Sequence, residues 1–400
     1  MNEFSHELSE RLDAIRHHGL LRELRRVDSP QSPRIEVGGR ELLNFSANDY
    51  LGLANEPALK EAAIKAVERY GAGAGASRLI CGSLAPHHEL DEALAAFKGT
   101  EAALSFSTGY GAAVGTVCAL LGKGDVIITD RLVHACFVDA ARLCGATLRI
   151  FDHNDLGDLE AKLQWAMEEV RSGKRRVLVV TESVFSMDGD QAPLREIVAL
   201  KERYEAWLMV DEAHATGLYG ANRRGLAEER GVSDRIEVQM GTLGKALGAA
   251  GGYVCGSRAL VDYLINRART FIFSTAPVPA SAAAATAGVR FVQSNAGELR
   301  CQKLWTNVST LLSTINSQPS THRSAIIPLM IGEEREAVAA AAALRKRGIF
   351  IPAIRYPTVA RGQARLRLTL SAAHTEADLA QLLTALKPLH FGLRTSDFGL

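Results

Sequence analysis

Paired cysteines, charge of one sign and long apolar runs are what this 400-residue chain lacks. Its six cysteines, at 81, 118, 136, 144, 255 and 301, are widely spaced and include no Cys-x-x-Cys pair. Most sit among apolar residues, so reduced, buried thiols and a reducing cytoplasm are expected. The 46 basic and 45 acidic residues nearly cancel, to a net charge of +1. No basic face for nucleic acid or an anionic membrane follows from that balance, and any bound phosphate must be held locally. The start, Met-Asn-Glu-Phe-Ser-His-Glu, is acidic and without an apolar centre, so no signal peptide is expected. The alanine-rich tract 280–288 is too short to span a bilayer, so a soluble protein is expected. Internal repeats and low-complexity linkers are also missing.

What is present is a core-forming chain, 47% hydrophobic, long enough for two or three domains at roughly 150 residues each. Residues 5–26 carry Leu8, Leu12, Ile15, Leu20, Leu21 and Leu24 at near-helical spacing, and Pro30 to Gly39 break the pattern. Helical segments at 57–69, 87–97, 109–121, 157–171 and 193–204 then alternate with short apolar strands at 102–106, 125–128, 146–151, 177–181, 207–210, 236–240 and 252–255. That alternation predicts a doubly wound α/β layer structure. A long helical region near 279–316 follows, then Ala325 to Ile331, a helix at 333–347, and β-like stretches Phe350 to Arg355 and Leu366 to Leu370. A last helix opens at Thr375, where Asp378 completes a capping box, and 390–400 read as a frayed tail. The expected division is an N-terminal helix and linker (1–50), a large α/β domain (51–285) and a small α+β domain (286–400).

Three apolar runs end in polar residues. Val177 to Val180 leads to Ser186, Trp207 to Val210 to Asp211 and His214, and Val238 to Met240 to Gly-Thr-Leu-Gly-Lys-Ala-Leu-Gly (241–248) with Lys245. Strands buried on both faces read as such runs, and in a parallel sheet their carboxyl ends open on one crevice. A lysine amine can join a carbonyl covalently, and an aspartate can hold a pyridine nitrogen protonated; pyridoxal phosphate requires both. Burial would raise the pKa of Asp211 unless a permanent cation offset it, and a pyridinium N–H is one. Helix capping is the structural alternative for Asp211, as a satisfied core or helix-start role is for His214 and His134. Ser107-Thr-Gly109-Tyr110 follows a strand and opens a helix, where free amides favour an anion, with Gly109 and Tyr110 the best candidates. Thr242 and the pair Ser274-Thr275 supply further hydroxyls.

Competing motifs fail on context. Asp-Glu-Ala-His (211–214) spells a helicase box, yet no Gly-x-x-x-x-Gly-Lys-Ser/Thr loop accompanies it. Gly71-Ala-Gly73-Ala-Gly75 fits a loose dinucleotide fingerprint but follows a helical segment. His87-His88-Glu89 lacks a third ligand at zinc-like spacing and reads as a helix start.

The chain closely resembles the α-oxoamine synthases, a branch of the fold-type I pyridoxal-phosphate enzymes. The resemblance runs from Asn44-Phe-Ser-Ala-Asn-Asp-Tyr-Leu-Gly-Leu53 through Val184-Phe-Ser-Met-Asp-Gly-Asp190 and Thr242-Leu-Gly-Lys245 to Ala364-Arg-Leu-Arg-Leu-Thr-Leu370. It implies a mostly parallel seven-stranded sheet flanked by helices, with a smaller α+β domain. It also implies that Lys245 carries the cofactor and later acts as base, that Asp211 pairs with the pyridinium, that His214 and Ser186 contact the ring-oxygen side, and that His134 stacks on the ring. Gly109, Tyr110 and Thr242 would surround the cofactor phosphate, with Ser274 and Thr275 reaching it from the neighbouring subunit of an obligate homodimer. Within the family, Ala353-Ile-Arg-Tyr-Pro-Thr-Val359 is most similar to the biotin-pathway branch, which condenses L-alanine with a pimeloyl thioester carried by coenzyme A or a carrier protein. Arg22 and Thr358 would then contact substrate, while Arg367 holds the amino-acid carboxylate, assisted by Asn48. Tyr356 and Ala360 stand where that branch usually has prolines, Ala113 replaces an asparagine and Cys136 a serine. Glycine C-acetyltransferase is the nearest alternative, serine palmitoyltransferase and 5-aminolevulinate synthase lie further off, and an aminotransferase is the alternative from another reaction class.

Overall fold

The computed structural model describes residues 2–170, 176–315 and 323–387. These form two compact units, one from 48–186 with 190–302 and a smaller one from the described parts of 1–47, 187–189 and 303–400. The expected boundaries at 50 and 285 differ from these for two physical reasons. Strand β2 (Arg40–Asn44), which follows β1 (Arg34–Val37), pairs in parallel with Ile349–Phe350, so the N-terminal segment is built into the smaller unit. The helix Pro279–Gln293 packs along Pro57–Tyr70 and Ala85–Lys98, which carries the larger unit past residue 285.

Helix α1 (Glu3–His17) starts at Asn2, whose side chain accepts the Ser5 N–H at 2.9 Å. The apolar spacing predicts a helix to residue 26. The chain instead leaves it at His18, and Gly19 follows at φ +67, a left-handed turn that ends helices.

In the larger unit the elements run α2 (Pro57–Tyr70), α3 (Ala85–Lys98), β3 (Ala102–Phe106), α4 (Gly109–Leu120), β4 (Val126–Asp130), α5 (Ala135–Cys144), β5 (Thr147–Phe151) and α6 (Leu156–Val170). They continue with β6 (Val177–Glu182), α7 (Leu194–Arg203), β7 (Trp207–Asp211), α8 (Leu226–Arg230), β8 (Val238–Thr242), β9 (Gly252–Gly256), α9 (Arg258–Arg267), α10 (Arg269–Ile272) and α11 (Pro279–Gln293). The seven strands form one sheet in the order β3-β9-β8-β7-β6-β4-β5. β4 to β8 are mutually parallel, and β9 is antiparallel to both its neighbours. Strands β3, β4, β6 and β9 are buried along their whole length, which is why they are continuous apolar runs. Ile127, Leu178, Val180 and Leu208 are fully enclosed, each worth about 1.5–3 kcal/mol relative to exposure. His87 caps α3, its Nδ1 accepting the Leu84 N–H at 3.1 Å and its Nε2 lying 2.7 Å from the Pro277 carbonyl.

The long helical region expected near 279–316 is two helices, α11 and α12 (Asn295–Thr314), interrupted at Ser294. In the smaller unit β10 (Ile326–Gly332) pairs antiparallel with β13 (Ala364–Thr369), and β12 (Ala353–Ile354) lines the other side of β13. The stretch Phe350 to Arg355 is split between β11 (Ile349–Phe350), which joins β2, and β12. Pro352, which has no N–H to donate, stands between them. Helix α13 (Glu334–Lys346) covers these strands, and α14 (Glu376–Leu386) opens at the predicted capping box, Thr375 with Asp378. Arg34 binds Asp378 at 2.7 Å, and Arg365 donates to the Met187 carbonyl at 3.3 Å, tying 187–189 into this unit. The expected tail at 390–400 lies outside the described residues. Among the described residues no helix is long and apolar enough to cross a membrane.

Candidate active site

The carboxyl ends of β6, β7 and β8 meet at one place because those strands are adjacent and parallel. β7 ends on Asp211, which is 6% exposed and whose Oδ1 accepts the Ala213 N–H at 2.8 Å. β8 ends at Thr242, and a tight loop carries Lys245: Ala249 N–H donates to Leu243 O at 2.9 Å and Gly248 N–H to Lys245 O at 3.0 Å. Gly248 has φ +69, and a Cβ there would lie 2.6 Å from the Leu53 backbone, so glycine is required.

Lys245 Nζ is 2.8 Å from His214 Nε2, and His214 Nδ1 is 2.7 Å from the Tyr50 hydroxyl, itself 3.3 Å from Asn48 Oδ1. With the ammonium donating to Nε2, the ring proton sits on Nδ1 and faces Tyr50, whose own hydrogen points to Asn48. The chain of bonds fixes both tautomer and orientation of the imidazole.

Two buried carboxyls face this lysine. Burial raises the pKa of Asp211, an effect opposed by the charge of Lys245, the Ala213 N–H and His134. Burial, and then the charge of Asp211, push Glu182 at the end of β6 up to about 8, against the pull of Lys245 and of two backbone amides. Those amides are His134 N–H at 2.6 Å and Ser186 N–H at 3.2 Å. One ammonium does not balance two enclosed carboxylates, and a protonated ring nitrogen opposite Asp211 is the cation that would.

On the other side, Thr108 caps α4 by accepting the Gly111 N–H at 2.9 Å, leaving the amides of Gly109 and Tyr110 in the first turn. A Cβ on Gly109 would lie 2.6 Å from Thr242 Cγ2, so the helix start presses directly on the end of β8. Thr242 Oγ1 is buried there with no hydrogen-bond partner among the described residues. An unsatisfied hydroxyl beside a helix N-terminus fits a phosphate oxygen. Tyr110 turns its hydroxyl away to Asp139 at 2.9 Å, so it offers its backbone amide.

The remaining predicted residues fall as follows. His134 is exposed and caps α5, its Nδ1 accepting the Cys136 N–H at 3.3 Å, which leaves Nε2 outward. Ser274 is half-buried and Thr275 exposed, the latter bridging Ser77. Arg22, Thr358 and Arg367 belong to the smaller unit. There Arg22 donates to Thr358 Oγ1 at 3.3 Å and to the Tyr356 carbonyl at 3.4 Å, and Arg367 is buried on β13 opposite Pro328. Arg22 and Thr358 line a cavity of ≈640 Å³ with Arg25, Arg345, Leu21 and Phe350. A larger cavity of ≈990 Å³ lies at the opposite strand ends, where Trp207 and Val238 begin β7 and β8. The residues missed from sequence are Tyr50 and Glu182. Glu182 carries the same signal as Asp211, a carboxyl closing an apolar run, and Tyr50 sits inside Asn48-Asp-Tyr50.

The family described as aminotransferase class I and II matches residues 40–386. An 8-amino-7-oxononanoate synthase of Geotalea daltonii is 46% identical over 393 residues, 98% of each chain. One from an Anaeromyxobacter species is 49% identical over 377 residues, 94% of each. Among solved structures, serine palmitoyltransferase of S. paucimobilis superposes with a TM-score of 0.88 at 29% identity, over 97% of this chain and 98% of that one. The 8-amino-7-oxononanoate synthase of Francisella tularensis does so with 0.71 at 27%, over 87% and 97%. With a lysine, a buried aspartate and a helix-start anion cradle converging at the ends of a seven-stranded sheet, and relatives matching along its full length, the chain belongs to the aminotransferase class I and II family, in its α-oxoamine synthase branch.

Proposed function

We propose that this protein condenses L-alanine with a pimeloyl thioester, releasing carbon dioxide and free thiol and giving 8-amino-7-oxononanoate, a step of biotin synthesis. The observation that carries the reading is the convergence of Lys245, His214 and Asp211 beside the unpaired Thr242 hydroxyl. Pyridoxal 5'-phosphate joined to Lys245 supplies the sink for negative charge at the amino acid's Cα. Asp211 would keep the ring nitrogen protonated, His214 and Ser186 would face the ring oxygen, His134 would lie on the ring, and Gly109, Tyr110 and Thr242 would hold the phosphate.

Lys245 would be the base for the Cα proton, with His214 at 2.8 Å aiming its amine. The Cα would then bond to the thioester carbonyl carbon as the C–S bond breaks and the sulfur leaves as thiolate, to be protonated; the original carboxylate would depart as carbon dioxide, and the proton held by Lys245 would return to Cα. The outward Nε2 of His134 donates to the thioester oxygen as charge develops on it. Arg367, a forked guanidinium, holds the amino-acid carboxylate with help from Asn48. The cavity at Arg22 and Thr358, apolar at Leu21 and Phe350 and cationic at Arg25 and Arg345, suits an aliphatic chain ending in a carboxylate. The enzyme works in the cytoplasm as a homodimer in which Ser274 and Thr275 of one copy complete the phosphate site of the other. Their place on an exposed segment, next to Phe273 at 70% exposure, supports this.

Steady-state rates with alanine and glycine against acetyl, succinyl, pimeloyl and palmitoyl thioesters test the assignment, with each product ketone identified by mass. Alanine with the pimeloyl thioester should have the highest kcat/KM; a preference for glycine and the acetyl thioester would instead make the enzyme a glycine C-acetyltransferase. Lys245→Ala should abolish turnover and the visible cofactor band together.

A further inference from the structure

Glu182 has no part in the reaction as written, yet its carboxyl is 2% exposed and fully engaged. Oε1 accepts the His134 N–H at 2.6 Å, and Oε2 accepts the Ser186 N–H at 3.2 Å. These amides belong to different loops. His134 ends the segment that leaves β4 and enters α5, and Ser186 lies in the reversal after β6 that Val184 and Gln191 close by a bridge. Each loop presents one of the side chains assigned to the cofactor ring, the imidazole of His134 and the hydroxyl of Ser186.

We propose that Glu182 is a positioning residue: its two oxygens tie the His134 and Ser186 loops to each other across the end of β6 and so set the spacing of the ring-binding groups. This rests on the functional reading above. A carboxylate is the group the geometry needs, because both contacts are backbone donors and both Oε atoms accept. A glutamine keeps one acceptor and turns an NH₂ towards the second N–H, leaving it buried and unpaired. An aspartate keeps both acceptors but is one methylene short of reaching both loops. Enclosure and the charge of Asp211 oppose the ionised form, while the two amides and Lys245 favour it.

The test uses the full-length holoenzyme with Glu182→Gln and Glu182→Asp. Because Lys245 is intact, both should still form the lysine-linked cofactor band. Glu182→Gln should raise the dissociation constant for pyridoxal phosphate about tenfold, the scale of one unsatisfied buried donor. Its kcat should fall with KM for the thioester little changed. Glu182→Asp, which keeps both acceptors but cannot reach both loops, should not restore the affinity. In a His134→Ala background the affinity effect of Glu182→Gln should shrink, because the group it positions is absent. Wild-type cofactor affinity in folded Glu182→Gln, or a loss confined to melting temperature, would overturn the proposal while leaving the Lys245 assignment standing. Should Glu182→Gln not fold, amide exchange in the wild-type holoenzyme decides: the His134 and Ser186 amides should be protected alike, and rapid exchange at either overturns it.

Discussion

Lys98→Met should be among the most destabilising single changes outside the candidate site. Lys98 ends α3 and turns inward, where its Nζ lies 3.2 Å from Glu212 Oε2 and 2.6 Å from the Arg224 carbonyl. The two side chains are 1% and 0% exposed. Methionine fills the same volume but strands the Glu212 carboxylate with the Ala227 N–H at 2.8 Å as its remaining named donor. Gly225 packs against the carboxylate so closely that a Cβ there would lie 1.3 Å from Glu212 Oε2. Removing one partner of an enclosed ion pair costs about 3–5 kcal/mol. At roughly 2–4 °C per kcal/mol for a unit of this size, the melting temperature should fall by about 6–20 °C in calorimetry. The double variant Lys98→Met, Glu212→Leu removes the stranded charge and should recover most of the loss. About 1 kcal/mol should remain, because the Ala227 N–H then has lost its acceptor. A loss under about 1 kcal/mol in the single variant, or a double variant no better than the single, would refute the claim that an uncompensated charge sets the penalty.

Thr242→Val should leave the apoprotein at least as stable, because it deletes an unpaired buried hydroxyl, while weakening pyridoxal phosphate about tenfold; equal affinity by fluorescence titration would mean that Thr242 does not meet the phosphate. His153 lies 2.9 Å from Asp130 and 2.6 Å from Asp190. Burial lowers its pKa, but the two carboxylates outweigh burial and raise it to about 10. A folded value above the ordinary 6.5 means the stabilisation is complete below about pH 6.5 and is lost as pH climbs to about 10. The melting-temperature gap between wild type and His153→Gln should therefore be widest near pH 6 and close towards pH 10; a gap that stays constant would show that the imidazolium charge is not involved.

The strands of the large sheet were legible because enclosure on both faces demands unbroken apolar runs, and β3, β4 and β6 begin and end within about two residues of where those runs do. The polar residues that close the runs were legible for the same reason, since a carboxyl or an amine at the end of a buried strand needs a partner. That reasoning reached Asp211, His214 and Lys245. It did not reach Glu182, whose partners are two backbone amides on neighbouring loops rather than a charged group of its own run.

Other features were not local at all. That Tyr50 meets His214 depends on the packing of a segment 164 residues away, and that Glu182 reaches the His134 amide, 48 residues back, depends on β4 and β6 being neighbours in the sheet. The helix predicted to residue 26 stops at His17, where Gly19 turns the chain. The allegiance of residues 1–47 to the C-terminal half is set by Leu43 pairing with Ile349. Composition and periodicity determined which segments must be buried and which chemistry their ends could carry. Only the tertiary structure decided which ends meet, because backbone hydrogen bonds between distant strands are nearly indifferent to the side chains that flank them.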